Sequence, residues 1–270
     1  MHIADQDFVK LRDYIKKNFG VNLEKKRTLI EGRLTNSITQ DGFDSFHDYL
    51  EDIYSDKSGA KMNTLMTKLT TNYTYFMRED THYKFMQEVA LPYWTSAIPD
   101  KDLRVWSAGC ASGEEAYTAA MVISEWFGQN KKGWDTTILA TDISIKVLEM
   151  AKQGVYPEEH FTHLPKAWKS KYFMKIGEED YKVSDALAKE VVFNHFNLMD
   201  DFSRFRKKFH IIFCRNVMIY FDTPTKAALA RKFFNALAVG GYLFIGLSET
   251  LSGIAGDFQQ ISPAIYRRVG

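Results

Sequence analysis

Residues 103–117 of this 270-residue chain read LRVWSAGCASGEEAY and contain the pattern that decides the fold. The apolar letters of LRVW predict a short buried strand, and Gly109 and Gly113 bracket a turn directly after it. The following run, EEAYTAAMVISEWF, has apolar residues at helical spacing, so we expect a helix over 114–127. A strand, a glycine-rich turn and a helix form the unit from which open parallel α/β sheets are built.

Further strands and helices alternate after this unit. We expect strands at TTILATD, EVVFNHF, HIIFC, GYLFIGL and AIYRRV, and helices at about 144–152 and 224–237. Such alternation predicts an α/β, Rossmann-like fold, in which helices cover both faces of a mostly parallel sheet. The last two strands have no helix between them, so we expect them to close the sheet as an antiparallel pair. The segment YFMKIGEEDYKVSD predicts a hairpin that forms a short β-subdomain insertion at about 172–184.

The first part of the chain has a different pattern, in which apolar residues recur at the spacing of short amphipathic helices. Gly20 is placed to end the first of these helices, because glycine readily adopts the left-handed conformation of a helix C-terminus. Further helices are expected at about 23–39, 43–53 and 60–69. We therefore predict a small N-terminal all-α domain over 1–75 and an α/β domain over 76–270.

Composition and charge argue against several classes of protein. With 35 basic and 34 acidic residues, the net charge of +1 gives no general attraction to nucleic acid or anionic membranes. Cys110 and Cys214 each lie at the end of a predicted buried strand, as is typical of free thiols in a reducing compartment. The start MHIADQDFVK lacks the apolar core of a signal peptide, and no apolar run approaches the ~20 residues that span a bilayer. We expect a cytoplasmic protein, and the histidine and cysteine spacings argue against a metal site.

The glycine turn and the next strand together indicate a nucleoside ligand. Asp142 ends TTILATD, where a carboxylate at the tip of the adjacent strand can accept hydrogen bonds from a ribose diol. The glycines follow G-x-x-x-G rather than G-x-G-x-x-G, and Glu114 and Glu115 at the helix start would repel a pyrophosphate. A ligand with a ribose, an adenine and a positive charge fits better. We therefore predict S-adenosylmethionine, approached by the backbone of the turn that contains Gly109.

Two other segments carry candidate site residues. TTNYTYFMRE at 70–79 is rich in polar and aromatic side chains, and its Arg78 can hold a substrate carboxylate bidentately. FCRNVMIYFD at 213–222 follows a strand that ends at the carboxyl edge of the sheet, where open α/β folds bind ligands. The alternatives are a linker anchored by Tyr73 and Phe76, and packing or turn residues at the sheet edge. At that edge we place Asn197, Leu198, Arg215, Asn216 and Tyr220.

In its motifs and their order the sequence resembles the CheR family of chemotaxis methyltransferases. The resemblance covers nearly the whole chain and rests on TTNYTYFMRE, WSAGCASGEEAY, ATDIS, FNLMD, FCRNVMIYFD and GYLFIGLSET. It implies a class I methyltransferase domain that uses S-adenosylmethionine, yields S-adenosylhomocysteine and methylates receptor glutamates. Cofactor contacts implied by the motifs are Asn72, Thr74, Arg78, Glu114, Asp142, Asn197, Leu198, Arg215 and Asn216. Arg78 and Tyr220 would lie near the transferred methyl group as the catalytic residues.

Three features depart from the family pattern. Ala116 stands where a proline usually follows the paired glutamates. In the second helix only Arg33 lies in the LIEGRLTNSI stretch, with Lys25, Lys26 and Arg27 a turn or two earlier, whereas relatives often have several arginines there. The segment FMKIGEEDYKV is shorter and poorer in glycine than in relatives that grip a receptor's peptide tether, so we expect a tether-independent member. The implied partner is the cytoplasmic signalling domain of chemoreceptors, with no nucleic acid, no membrane insertion and a monomeric enzyme.

Other functions stay open at this point. A methyltransferase of another substrate is one alternative, although RNVMIY lacks the prolines of the N/D-P-P-Y/F motif typical of adenine amino-group methylation. A docking module that binds the cofactor without catalysis is the second. A glutamate acceptor has a reference pKa of about 4.3 and is already ionised at neutral pH, so the absence of an evident general base is consistent with carboxylate methylation.

Overall fold

The computed structural model describes residues 1–254 and 256–270, and its N-terminal part is all helical. The helices are α1 (Asp5–Phe19), α2 (Arg27–Gln40), α3 (Phe46–Ser55) and α4 (Ala60–Leu69). Gly20, with φ of 73°, ends α1 and donates its N–H to the Lys16 carbonyl. The Ser45 hydroxyl caps α3 by accepting from the Asp48 N–H. The predicted N-terminal helical domain is therefore confirmed.

A large, mostly parallel sheet forms the second part. Its strands are β1 (Val105–Ala108), β2 (Ile138–Asp142), β6 (Val191–His195), β7 (Phe209–Cys214), β8 (Leu237–Ile245), β9 (Phe258–Ser262) and β10 (Ile265–Arg268), and β3 to β5 belong to a separate small sheet. The strand order is β6-β2-β1-β7-β8-β10-β9, with β10 antiparallel to both of its neighbours. The order reverses between β1 and β7, which opens a crevice at the carboxyl ends of those strands.

Helices cover both faces of the sheet, as expected. They are α7 (Glu114–Phe127), α8 (Ile145–Gln153), α11 (Thr223–Ala236) and a continuous helical segment of α5 (Thr81–Phe85), a π-helical turn (Met86–Ala90) and α6 (Leu91–Ala97). Trp106, Phe209 and Phe233 belong to a core that is continuous with the interior of the N-terminal domain. Phe213 and Phe244 belong to the core on the other face, so the sheet separates two apolar layers.

The end of the sheet differs from the sequence prediction in one strand. The antiparallel pairing of GYLFIGL with AIYRRV is present, with Tyr266 opposite Leu243. The strand β9, with sequence FQQIS, was not predicted and pairs with the outer side of β10. Only Phe258 of this edge strand is buried, so the alternation that reveals a strand in sequence is missing.

A small antiparallel sheet is inserted after α8. It contains β3 (Val155–Pro157), β4 (Phe173–Lys175) and β5 (Asp180–Val183) in the order β3-β5-β4, with α9 (Lys166–Tyr172) before β4 and α10 (Asp185–Ala188) after β5. The hairpin of β4 and β5 pairs Met174 with Lys182, as YFMKIGEEDYKVSD predicts. The sequence did not reveal β3, which precedes that hairpin. Across the part of the chain that the structure describes, no helix has the length and apolar character needed to cross a membrane.

Candidate functional site

A cavity of about 340 Å³ opens at the carboxyl ends of β1, β2 and β7. The predicted site residues that line it are Asn72, Thr74, Arg78, Gly109, Asp142, Asn197, Leu198, Arg215, Asn216 and Tyr220. Phe19, Val21 and Met66 of the N-terminal domain close one side. Residues of all three sequence motifs therefore line one cavity at the carboxyl edge of the sheet.

The glycine turn brings bare backbone to the cavity wall. Gly109 has φ of 97°, and its N–H donates to the Thr141 carbonyl at 2.8 Å. A Cβ atom at Gly109 would lie 2.4 Å from Cγ2 of Val217, so no side chain fits there. The neighbouring Ala111 also has a positive φ, of 47°. The turn is thus conformationally restricted, and it has no side chain at Gly109.

Asp142 is buried at the end of β2 and is held by backbone N–H groups. Its Oδ2 accepts from the Ala111 N–H at 3.0 Å and its Oδ1 accepts from the Ser144 N–H at 2.9 Å. Burial raises the pKa of Asp142, and the hydrogen bonds from Ser144 and Ala111 oppose that rise. Because a carboxylate oxygen can accept a second hydrogen bond, the group is oriented by these two bonds and still able to bind a diol.

The adjacent glutamates at the start of α7 point to different places. Glu115 lines the cavity, where its Oε1 accepts from the Ser107 hydroxyl at 2.7 Å. Glu114, the residue predicted as a cofactor contact, is placed outside the cavity lining and is fully buried. Its carboxylate accepts from the Ser112 hydroxyl at 2.8 Å and pairs with Nδ1 of His160 at 2.7 Å. Consecutive helix positions differ by about 100° around the axis, and the paired letters EE do not say which one faces the ligand.

The 70–79 strip, TTNYTYFMRE, both packs and lines the cavity. Phe76 is fully buried and stacks on Phe161, as the linker alternative requires. Tyr73, the other proposed anchor, is instead 70% exposed at the cavity wall. Arg78 donates from Nη1 to the Tyr73 carbonyl at 2.9 Å, and its guanidinium lies 6.0 Å from the ring centre of Tyr75. The strip is therefore anchored by one aromatic side chain, while residues 70–75 and Arg78 line the cavity.

Arg215 is buried and bound on several sides. Its Nε and Nη2 each lie 3.2 Å from Oε2 of Glu79, and its Nη1 donates to the Tyr83 hydroxyl at 3.0 Å. Nη1 also lies 3.3 Å from Oε2 of Glu115, and Nη2 donates to the Arg78 carbonyl. Burial raises the pKa of Glu115, and the charge of Arg215 opposes that rise. Arg215 thus joins the strip, the start of α7 and the end of β7.

Glu79 and Glu249 lie outside the cavity lining and hold site residues in place, a role that the sequence reasoning missed. Oε1 of Glu79 accepts from Nδ2 of Asn216 at 3.4 Å and from the Leu247 N–H at 3.3 Å. Glu249 accepts from the N–H groups of Asn216, at 3.0 Å, and Ile219, at 2.9 Å. Both glutamates lie within motifs that carried the family resemblance, TTNYTYFMRE and GYLFIGLSET. Their motif membership was the available signal, but their contacts join segments far apart in sequence.

Tyr220 connects the cavity to the N-terminal domain. Its carbonyl accepts from the Asn22 N–H at 2.8 Å, and its hydroxyl donates to the Thr71 carbonyl at 3.3 Å. A second connection runs from Nδ2 of Asn197 to the Asn18 carbonyl at 2.7 Å. The end of α1 is therefore attached to the loops that follow β6 and β7, and the helical domain forms part of the site.

Comparison with known protein families identifies the family of this chain. Residues 72–266 match the family described as CheR methyltransferase, SAM binding domain, and residues 6–70 match CheR methyltransferase, all-alpha domain. The chain belongs to the CheR methyltransferase family. The family assignment confirms both the resemblance read from the sequence and S-adenosylmethionine as the cofactor.

Similar curated proteins cover nearly the whole length of this CheR family member. A chemotaxis protein methyltransferase of Borreliella burgdorferi is 42% identical over 99% of this chain and 96% of its own length. A probable chemotaxis protein methyltransferase of Rhizobium etli is 34% identical over 90% and 92%. Chemotaxis protein methyltransferase Cher2 of Pseudomonas putida is 33% identical over 98% of both chains.

The cavity of this CheR family member suits the cofactor of its family. Its volume of about 340 Å³ lies in the range of small-molecule sites. Asp142 provides a buried carboxylate for a ribose diol and Glu115 a partly buried one for positive charge, while Phe196 and Leu198 provide apolar surface for an adenine. The residues present therefore fit S-adenosylmethionine in size, polarity and charge.

Proposed function

We propose that this chain transfers the methyl group of S-adenosylmethionine to glutamate side-chain carboxylates of chemoreceptors, giving methyl esters. The observation that carries the proposal is the cavity itself, which combines the carboxylates of Asp142 and Glu115 with Arg78 and Tyr220 in its wall. Full-length similarity to chemotaxis protein methyltransferases supports the same reaction class. The proposed partner is the cytoplasmic signalling domain of a receptor.

The residues of the cavity have separate roles in this proposal. Asp142 holds the ribose, Asn197 and Leu198 flank the adenine, and Glu115 faces the positively charged end of the donor. When bound, the sulfonium supplies an electrophilic methyl group. Gly109 lets the turn pack directly against Val217 in the cavity wall, because any Cβ atom there would collide with that side chain.

Alignment, rather than proton transfer, is the catalytic task. The acceptor carboxylate has a reference pKa of about 4.3 and is ionised at neutral pH, so no base is required. Correct placement of two reacting groups can be worth about 7–11 kcal/mol. We assign the orientation of the acceptor carboxylate to Arg78, whose half-buried guanidinium is fixed by the Tyr73 carbonyl. Tyr220 lines the passage beside it.

The mouth of the cavity favours a protein substrate. Tyr73 is 70% exposed and Ile219 is 49% exposed, and both line the cavity. Exposed apolar side chains grouped around an opening are typical of surfaces that another protein covers. The β4–β5 connection spans only residues 176–179, which supports recognition of the receptor helices without a peptide tether.

The test is incubation with radiolabelled S-adenosylmethionine and a soluble receptor signalling fragment, followed by alkaline treatment of the product. Carboxyl methyl esters release methanol in alkali, whereas N-methyl groups do not. We expect alkali-labile label on the fragment, and no label with Asp142→Ala enzyme. Alkali-stable label would indicate a methyltransferase of another substrate. Cofactor binding without any transfer to receptor fragments would indicate a docking module.

A further inference from the structure

His160 connects the β-subdomain to two walls of the cavity. It lies in the 3₁₀ turn Glu158–Phe161, between β3 and α9. Its Nδ1 is 2.7 Å from Oε1 of Glu114, at the start of α7, and its carbonyl accepts from the Phe76 N–H at 3.1 Å in the 70–79 strip. One residue outside the cavity therefore contacts both the glycine-turn segment and the strip that carries Arg78.

Neighbouring hydrogen bonds extend the same connection. The hydroxyl of Tyr156 donates to the Ser112 carbonyl at 2.7 Å, so β3 also contacts the glycine turn. Thr118 donates its hydroxyl to the Glu114 carbonyl at 2.6 Å and accepts from the Met77 N–H at 3.2 Å. Glu114 is thus the point at which the turn, α7 and the strip are joined, and His160 supplies the positive partner of its carboxylate.

We propose that His160 is a positioning residue for the S-adenosylmethionine site. Its imidazolium pairs with the buried Glu114 and so holds the glycine turn and the 70–79 strip in the arrangement that binds the cofactor. The inference rests on the proposed placement of the cofactor in the cavity. Glu114, which sequence reasoning placed in contact with the cofactor, acts instead through this pair.

The charge of His160 is set by its surroundings. The hydrogen bond to Glu114 raises the pKa of His160, burial opposes the rise, and the charges of Glu114 and Glu159 add to it. The phenol of Tyr156 faces the ring and stays neutral, because burial raises its pKa well above the usual range. His160 is protonated below its raised pKa, and the ion pair is lost as the pH rises through that value.

Proton titration of the wild-type protein gives the first test. The chain has seven histidines, and His160→Gln identifies the resonance of His160 in NMR spectra of isotope-labelled protein. If protonation favours binding, saturating S-adenosylhomocysteine must raise the pKa of His160, because linkage between two bound ligands is reciprocal. A pKa of His160 that stays the same with and without the ligand would overturn the proposal.

Calorimetric affinity for S-adenosylhomocysteine gives the second test, from about pH 6 to about pH 9. We expect wild type to bind about fivefold more tightly than His160→Gln at the acid end, with the ratio falling toward one at the alkaline end. The ligand's own amino group titrates in this range, but it affects both proteins equally. A ratio that does not change with pH would contradict a role for the ion pair.

Matched variants separate this proposal from its alternatives. His163 lies three residues further on, and its ring centre is 5.1 Å from that of Tyr75 rather than beside Glu114, so His163→Gln should keep the wild-type pH dependence. Glu114→Gln should lose it, as His160→Gln does. Asp142→Ala tests the placement of the cofactor independently: if it binds like wild type, the assignment of the cavity fails. If only Asp142→Ala weakens binding, the cavity stands and the role of His160 fails.

Discussion

Several non-glycine residues around the cavity have strained backbone conformations. Met77, Glu79, Ala111 and Asn216 have φ values of 62°, 56°, 47° and 58°. Such conformations cost about 1–3 kcal/mol each and persist only where the surroundings fix them. Here Met77 and Asn216 donate their N–H groups to Thr118 and Glu249. The strain indicates a site whose geometry is set before any ligand binds.

Arg78 offers the most direct test of the catalytic assignment. We expect Arg78→Ala to reduce methyl transfer more than about tenfold, because the acceptor carboxylate loses its bidentate partner and its alignment. Folding should change little, since the side chain is only half-buried and the carbonyl that accepts from Arg215 is retained. The measurement is the initial rate with radiolabelled cofactor, together with a thermal unfolding curve.

The matched control for Arg78 is Arg231→Ala on α11. Arg231 has a side chain that is 76% exposed and lies 3.9 Å from Asp257 in a surface ion pair. Its removal should leave both the transfer rate and the unfolding curve close to wild type. Turnover of Arg78→Ala at the wild-type rate would show that Arg78 has no part in the reaction.

Glu79 should matter for stability as much as for binding. Its carboxylate is a close partner of the buried Arg215, whose side chain is 2% exposed. Removing one member of a buried ion pair costs about 3–5 kcal/mol where the remaining charge has no other partner, but Arg215 keeps Glu115 at 3.3 Å. We therefore expect Glu79→Ala to lower the free energy of unfolding in urea by less than that amount, about 1–3 kcal/mol, because the hydrogen bonds to Glu79 are also lost.

Glu79→Gln retains the hydrogen-bonding shape and should lose less stability than the alanine variant. Glu88→Ala is the surface control, because Glu88 is 62% exposed and lies 4.0 Å from Lys84. That control should change the free energy of unfolding by no more than about 0.5 kcal/mol. Equal effects of Glu79→Ala and Glu88→Ala would mean that Arg215 does not depend on Glu79.

At the scale of elements, the turn between β1 and α7 is fixed by its contact with the loop after β7. Gly109→Ala would place a Cβ atom 2.4 Å from Cγ2 of Val217 and force a side chain into φ of 97°. Strain of this kind costs about 1–3 kcal/mol, so cofactor affinity should fall about 10- to 100-fold in calorimetry. Gly109→Ala should weaken cofactor binding less when it is made in the Val217→Ala protein than when it is made in wild type, because the clash with Cγ2 is then absent.

Gly42→Ala is the matched control for that turn. Gly42 has φ of 83°, and a Cβ atom there would meet nothing within 4 Å. The control therefore carries the same kind of backbone strain far from any close contact, and its cofactor affinity should equal that of wild type. If Gly109→Ala and Gly42→Ala bound the cofactor equally well, the close approach of Gly109 to Val217 would have no effect on cofactor affinity.

The elements that sequence predicts well are those with a strong local pattern. The helix over 114–127 and the helix over 60–69 are confirmed at both ends, because apolar spacing and flanking glycines agree. The strands β3 and β9 were missed because each is short and has little buried apolar alternation. The π-helical turn at Met86–Ala90 was not predicted either, since the apolar residues around it keep helical spacing.

The candidate site shows the same division between features with a strong local pattern, which were predicted, and features without one. Residues at the ends of predicted strands, such as Asp142 and Arg215, were placed at the cavity because topology brings strand ends together. Long-range contacts were not predictable, which is why the pairing of Glu114 with His160 and the role of Glu79 appear only in the structure. A local pattern shows which segments meet, and tertiary packing decides which atoms face the ligand.

At the scale of the whole molecule, the helical domain and the sheet domain share one core and one cavity. Asn63 on α4 donates to the Ile143 carbonyl at 2.7 Å and accepts from the Ile145 N–H at 2.9 Å. Lys16 on α1 pairs with Asp222 at 2.7 Å, before α11. Because these contacts hold the loops after β2 and β7, we expect the two domains to unfold together.

The stability of the whole fold should also depend on pH through His82. His82 is fully buried, and neither ring nitrogen has a hydrogen-bond partner among residues 1–254 and 256–270. Burial lowers the pKa of His82, the charge of Arg215 adds to this effect and the charge of Glu79 opposes it, which together give a pKa of about 4. Between about pH 6.5 and about pH 4 the unfolded chain binds a proton at this position that the folded chain does not. Acid therefore favours unfolding in this range.

We expect the free energy of unfolding to fall as the pH drops from about 6.5 to about 4, by up to about 1.4 kcal/mol per pH unit from His82. Urea unfolding at a series of pH values measures this slope. His82→Phe keeps an aromatic ring against Phe244 and removes the titrating group, so its slope should be shallower. Some slope should remain, because burial also lowers the pKa of His210 to about 4. Equal slopes for wild type and His82→Phe would contradict this prediction. They would mean that His82 takes up its proton in the folded protein, with Glu79, 3.6 Å away, as its partner.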